Sequence, residues 1–158
     1  MPWRRSRITP RGCAGARGAA GEVRSVSGTG EGSTDLDALE ALLGKAHELG
    51  EEGRWEEAAE LLRGSLSDWD EEPAVHAWLG FAERELGLDG VAYERFKRAL
   101  SLQPEDPYVL TLAGAGIADF DDPDAESALR AAAVIGPDIA ETRLRYGAYL
   151  AREGMLED

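Results

Sequence analysis

"WLGFAERELGLDGVAYERFKRALSLQP", residues 78–104, is the stretch whose reading decides the fold. Two runs of good helix formers flank "GLDG", yet they place Gly80, Ala92 and Ala99 in their interiors. A Gly inside a helix costs about 1 kcal/mol relative to Ala, so it must be there for the side chain it leaves out. Where two helices cross at close range, a side chain beyond Ala or Gly holds the axes apart. Gly80, Ala92 and Ala99 are therefore expected at helix–helix contacts. Gly87 lies between the two helical patterns and is expected to make the reversal, in a conformation that a Cβ disfavours.

The pattern repeats along the chain. At an offset of 34, Gly53, Ala58, Leu62 and Leu66 fall on Gly87, Ala92, Phe96 and Leu100 without a gap. At a further offset of 33, Ala125, Leu129, Ala132 and Pro137 fall on Ala92, Phe96, Ala99 and Pro104, with Leu112-Ala113 on Leu79-Gly80. A fourth start appears in "RYGAYLAREGML", where Gly147 echoes Gly80 and Gly154 echoes Gly87. A period in the 20–50 range is the mark of stacked supersecondary units.

This pattern resembles the tetratricopeptide repeat family, whose unit is a pair of antiparallel helices. Leu79-Gly80, Gly87, Ala92, Phe96, Ala99 and Pro104 stand at the family's signature positions. Repeat one departs at Lys45, Ala46 and Asp70, and repeat three has Phe120 at the inter-helix Gly. The expected fold is an all-α solenoid: a repeat domain over 35–158, with repeats at about 39–72, 73–105 and 106–138 and a final helix at about 138–153. Helix pairs are expected at 36–50 and 54–67, 73–86 and 89–102, and 107–119 and 123–135. Ser33, Thr34 or Asp35 can cap the first helix; Asp106-Pro107 and Asp122-Pro123 each read as an N-cap followed by a first-turn proline. The final helix is expected to close the stack, with Arg143, Arg145, Arg152 and Glu141 outward and Leu144, Tyr146, Leu150 and Ala151 inward. The rival reading is a truncated fourth repeat that needs a partner helix.

The net charge of −14 hides a split: residues 1–34 carry +4 and residues 35–158 carry −18. The leading segment has seven Gly among its first 34 residues and no apolar period, so it reads as a disordered tail. Its arginines precede no apolar run of signal-peptide length, and no stretch is long enough to span a bilayer. Cys13 is the sole cysteine, which excludes an intrachain disulfide and fits a reducing, cytoplasmic setting. His47 and His76 have no metal-ligand spacing, and no phosphate loop, nucleophile elbow or zinc-protease motif is present. No cofactor, metal or enzymatic activity is expected. Phosphate repulsion from a domain at −18 argues against nucleic acid.

By the resemblance, the first helix of each pair lines a concave groove for a peptide. The groove would collect Leu43 and His47, then Trp78, Phe81 and Arg84, then Leu110 and Ile117, and lastly Arg145. Trp78 and Phe81, three apart, suit either core or groove. Family members that hold a terminal carboxylate use Lys, Asn and Arg at positions that here read Leu43, His47, Trp78, Pro107 and Thr111, so that clamp is missing. The expected function is a protein-interaction module binding an apolar or amphipathic segment of a partner protein. The alternative is a structural unit that self-associates through the ends of its stack.

Overall fold

In the computed structural model, residues 31–155 are described. Of the disordered tail expected over 1–34, residues 1–30, with Cys13 and the arginines, lie outside them, whereas residues 31–34 belong to a helix rather than to a disordered segment. The chain divides into two units, Met1–Ala41 and Leu42–Asp158. What is described of the first is the opening part of helix α1 (Glu31–Glu51), which starts at residue 31 rather than at the expected 36. Ser33, Thr34 and Asp35, read as caps, are helical residues instead. Their penalty inside a helix is only about 0.5 kcal/mol each, too little to enforce a start.

The second unit holds the rest of α1 and seven further helices: α2 (Trp55–Gly64), α3 (Leu66–Trp69), α4 (Pro73–Glu85), α5 (Asp89–Ser101), α6 (Pro107–Ala118), α7 (Asp124–Ile135) and α8 (Ala140–Arg152). The expected helix over 54–67 is broken at Gly64-Ser65, where the Ser65 hydroxyl donates to the Leu62 carbonyl at 2.7 Å and competes with the backbone ladder. Asp106 caps α6 by accepting from the Tyr108 and Val109 amides, with Pro107 in the first turn. Helix α7 begins at Asp124, one residue later than read from the sequence, so Pro123 rather than Asp122 holds its N-cap position. The Asp122 carboxylate, one residue further out, accepts from the Asp124 amide at 2.8 Å.

Five described residues adopt left-handed backbone: Gln103 after α5, and Gly53, Gly87, Asp121 and Gly154 after α1, α4, α6 and α8. After α1, α4 and α8 the turn closes with the same bond, from the amides of Arg54, Leu88 and Met155 to the carbonyls of Leu49, Glu83 and Leu150. In the third pair the left-handed residue is Asp121, not the expected Phe120; Asp enters this region far more readily than an aromatic residue.

Packing runs through neighbours. Helix α4 packs on α2, α5 and α6, α6 also on α5 and α7, and α8 on α6 and α7. Phe96 of α5, fully buried, is the centre of this seam. A Cβ on Gly80 would lie 2.9 Å from its ring and a Cβ on Gly116 2.3 Å from it, so the ring fits only because both residues lack one. In the next pair, a Cβ on Gly114 would meet Ala128 and Leu129 at 3.0 and 3.2 Å, as Gly80 meets Arg95 and Phe96. The structural counterpart of Gly80 is thus Gly114, not Ala113. Ala46, Gly80, Gly114 and Gly147 each stand seven residues before a left-handed turn residue.

Polar groups tie the second helices in. Glu83 of α4 is buried and faces Arg63 of α2 at 2.9 Å and Arg95 of α5 at 3.5 Å. Asp122 receives the Tyr93 hydroxyl at 2.7 Å and the Lys97 ammonium at 3.1 Å. The Tyr93 bond, backed by the Asp124 amide and Lys97, holds the Asp122 carboxyl below its ordinary range, against its own desolvation.

Candidate functional site

The residue that follows each small contact residue defines one row along the first helices: His47, Phe81, Ala115 and Ala148. A helix advances 100° per residue, so this row sits beside the buried stripe and keeps part of its surface open. His47 and Phe81 are half-buried, as is Trp78 between them. The His47 and Trp78 rings meet edge-on with centroids 5.5 Å apart, and Trp78 meets Phe81 the same way at 6.1 Å. Trp55, from the start of α2, adds a further edge contact to Phe81 at 5.4 Å. It reaches there over Gly50, whose missing Cβ would lie 2.6 Å from the indole.

Arg84 continues the cluster. Its guanidinium lies 5.3 Å from the Phe81 ring centroid and 3.6 Å from Asp119, which follows α6. Asp119 also faces Arg152 of α8 at 3.7 Å, while Arg152 donates to the Ala118 carbonyl at 2.7 Å. Two guanidiniums therefore flank one carboxylate beside an aromatic platform. Such a surface offers apolar area, cation–π contacts and directional donors together, the composition of interface anchors.

Of the residues read as lining the groove, His47, Trp78, Phe81 and Arg84 come together here. Leu43, Leu110 and Ile117 do not: all three are buried core residues. Leu43 shares the inward stripe of α1 with Ala46 and Gly50. For Leu110 and Ile117 the cause is the register of α6. Aligning Ala113 with Gly80 slips the helix by one residue and turns the selected face about 100° toward the core. Arg145 is exposed and pairs with Glu141 of its own helix at 2.7 Å; Arg152 is the α8 arginine that reaches Asp119. The sequence reading also missed Trp55, whose one signal was Gly50 opposite it, and Asp119.

No helix among the described residues is long and apolar enough to cross a membrane. No group of three metal-ligating side chains is gathered among them either. No protein-family profile matches the sequence. No curated protein matches it either. Solved structures do match by fold. One is YrrB, a TPR protein with an unusual peptide-binding site, at 21% identity and a TM-score of 0.59 over 72% of this chain and 59% of that one. The chain thus spans about three fifths of YrrB. A second is the first TPR of Spaghetti (RPAP3) bound to the HSP90 peptide SRMEEVD, at 15% identity, TM-score 0.61, over 72% of this chain and 91% of that one. A third is PcrH in complex with the chaperone binding region of PopD, at 19% identity, TM-score 0.56, over 74% and 89%. Identities this low speak for architecture alone. With helix pairs, left-handed turns and small-residue seams recurring at one period, the chain has the tetratricopeptide repeat fold.

Proposed function

We propose that this protein is a non-enzymatic, cytoplasmic interaction module that binds an apolar or amphipathic segment of a partner protein on the face of its first helices. The observation that carries the reading is the half-exposed ring cluster of His47, Trp78 and Phe81, with Arg84 over Phe81 and Asp119 beyond it. Open aromatic surface costs hydration free energy unless something covers it, and a peptide side chain seated among edge-on rings recovers that area. Two of the similar folds are complexes with partner segments, which supports the reading. Absence of the Lys/Asn/Arg set at Leu43, His47, Trp78, Pro107 and Thr111 disfavours a terminal carboxylate as the anchor.

The test is calorimetric titration of the partner recovered by pull-down on the full chain. Trp78→Ala and Phe81→Ala are expected to weaken binding about thirtyfold each, the equivalent of about 2 kcal/mol at tenfold per 1.4 kcal/mol. Both variants should still melt cooperatively. Loss of folding as severe as that of Phe96→Ala would place both rings in the core; normal folding with normal affinity would move the binding face elsewhere.

A further inference from the structure

Helix α8 carries every mark of a first helix: Gly147 at the register of Gly80 and Gly114, left-handed Gly154 at its end, and the closing bond from the Met155 amide to the Leu150 carbonyl. In the earlier pairs that register takes a second helix. Gly80 receives Phe96 and Gly114 receives Leu129, whereas a Cβ on Gly147 would meet nothing within 4 Å. Three residues before each of these positions stand Leu43, Ala77, Thr111 and Leu144. The first three are 6%, 0% and 1% exposed, and Leu144 is 66% exposed. Ala140, Leu144, Gly147 and Ala151 thus form an apolar stripe at helical spacing over three turns, about 16 Å long. Only Thr142, on the opposite side, is buried. The expected inward set was wrong for Leu144 and Ala151, because α8 turns its other face to α6 and α7.

We propose that this stripe docks the opening part of α1, residues 31–41, of a second copy of the chain. That segment is helical, about 16 Å long at 1.5 Å per residue, and carries Leu36, 49% exposed, and half-buried Leu39 on one side. Charge selects it. Asp35, Asp37 and Glu40 are exposed acids with no base among them, whereas α8 carries Arg143, Arg145 and Arg152 against Glu141. Arg143, adjacent to Leu144, has no ion-pair partner among the described residues. Two different patches meet in this contact, so the interface is heterologous rather than self-complementary. The patch is small, which sets the association in the weak, concentration-dependent range.

Analytical ultracentrifugation of the full chain tests this. The wild-type weight-average mass should rise steadily above 17.0 kDa as concentration increases, up to about 100 µM, near the limit expected for so small an interface. Leu144→Asp and Leu36→Asp, both at exposed positions, should each fold normally by circular dichroism and remain monomeric. Mixed one to one, each supplies the end that the other lacks, and the mixture should settle at twice 17.0 kDa and grow no further. A monomeric wild type at every concentration overturns the proposal. A dimer lost in Leu144→Asp but kept in Leu36→Asp also overturns it, since α8 would then pair with itself.

Discussion

Gly80 and Gly147 stand at the same register of the same kind of helix and live in opposite surroundings. Around Gly80, the absent side chain lets α5 approach until Phe96 fills the space, with Gly116 on its far side. Around Gly147 the same notch is open and its neighbour Leu144 is solvated. The contrast teaches that a small-residue motif specifies a place for a partner but does not supply one. In repeat two the chain itself provides the second helix; at α8 no described segment does.

Breaking the filled end should have the largest effect. Phe96→Ala removes the ring held between two glycines, and a Phe→Ala cavity in a tight core costs about 3–5 kcal/mol. Chemical denaturation should show a midpoint loss of that size, or a chain unfolded at the outset. Next comes Gly116→Ala, whose new Cβ falls 2.3 Å from the Phe96 ring. Overpacking of this kind costs about 1–3 kcal/mol.

The same exchange at the open end should reverse sign. Gly147→Ala meets no neighbour, and Ala in a helix is favoured over Gly by about 0.5–1 kcal/mol. A paired urea titration of the two Gly→Ala variants measures the contrast directly; destabilisation by Gly147→Ala would mean that the notch is filled.

A pH series sharpens the comparison at the join between the second and third pairs. The folded state holds the Asp122 carboxyl below its ordinary range through Tyr93, the Asp124 amide and Lys97. A depressed carboxyl contributes stability that is present above the unfolded value, about 4, and lost as pH falls through the folded one. The wild-type melting midpoint should therefore drop on acidification below about pH 4. Asp122→Asn should melt earlier at neutral pH and show a shallower acid drop, a smaller effect than either core change.

Much of the architecture was legible in the chain as text. The period is a pattern of residue types. The paired helices, the turns at Gly53 and Gly87 and the Asp106 cap depend on neighbours within a few residues, and the seam at Gly80 was announced by a Gly inside a helix. A helical stripe, a left-handed turn and a capping carboxylate are short-range devices, and their residue types announce them. The similarity of repeat two to the tetratricopeptide pattern rested on the same local features.

What needed the tertiary structure was which way each helix faces. Leu112-Ala113 and Ala113-Gly114 are both apolar-then-small pairs, so composition had no means of choosing between them. Only the close approach of Ala128 and Leu129 to Gly114 made the choice, and with it sent Leu110 and Ile117 into the core and left Ala115 and Asp119 on the open row. Trp55 joined the ring cluster for the same reason, through a contact between helices that no periodicity encodes. Leu144 is the clearest case. Its sequence pattern reads as an inner face, and so it is in the first three helices of its kind; burial requires a second surface, and whether one is present is a property of the assembled chain.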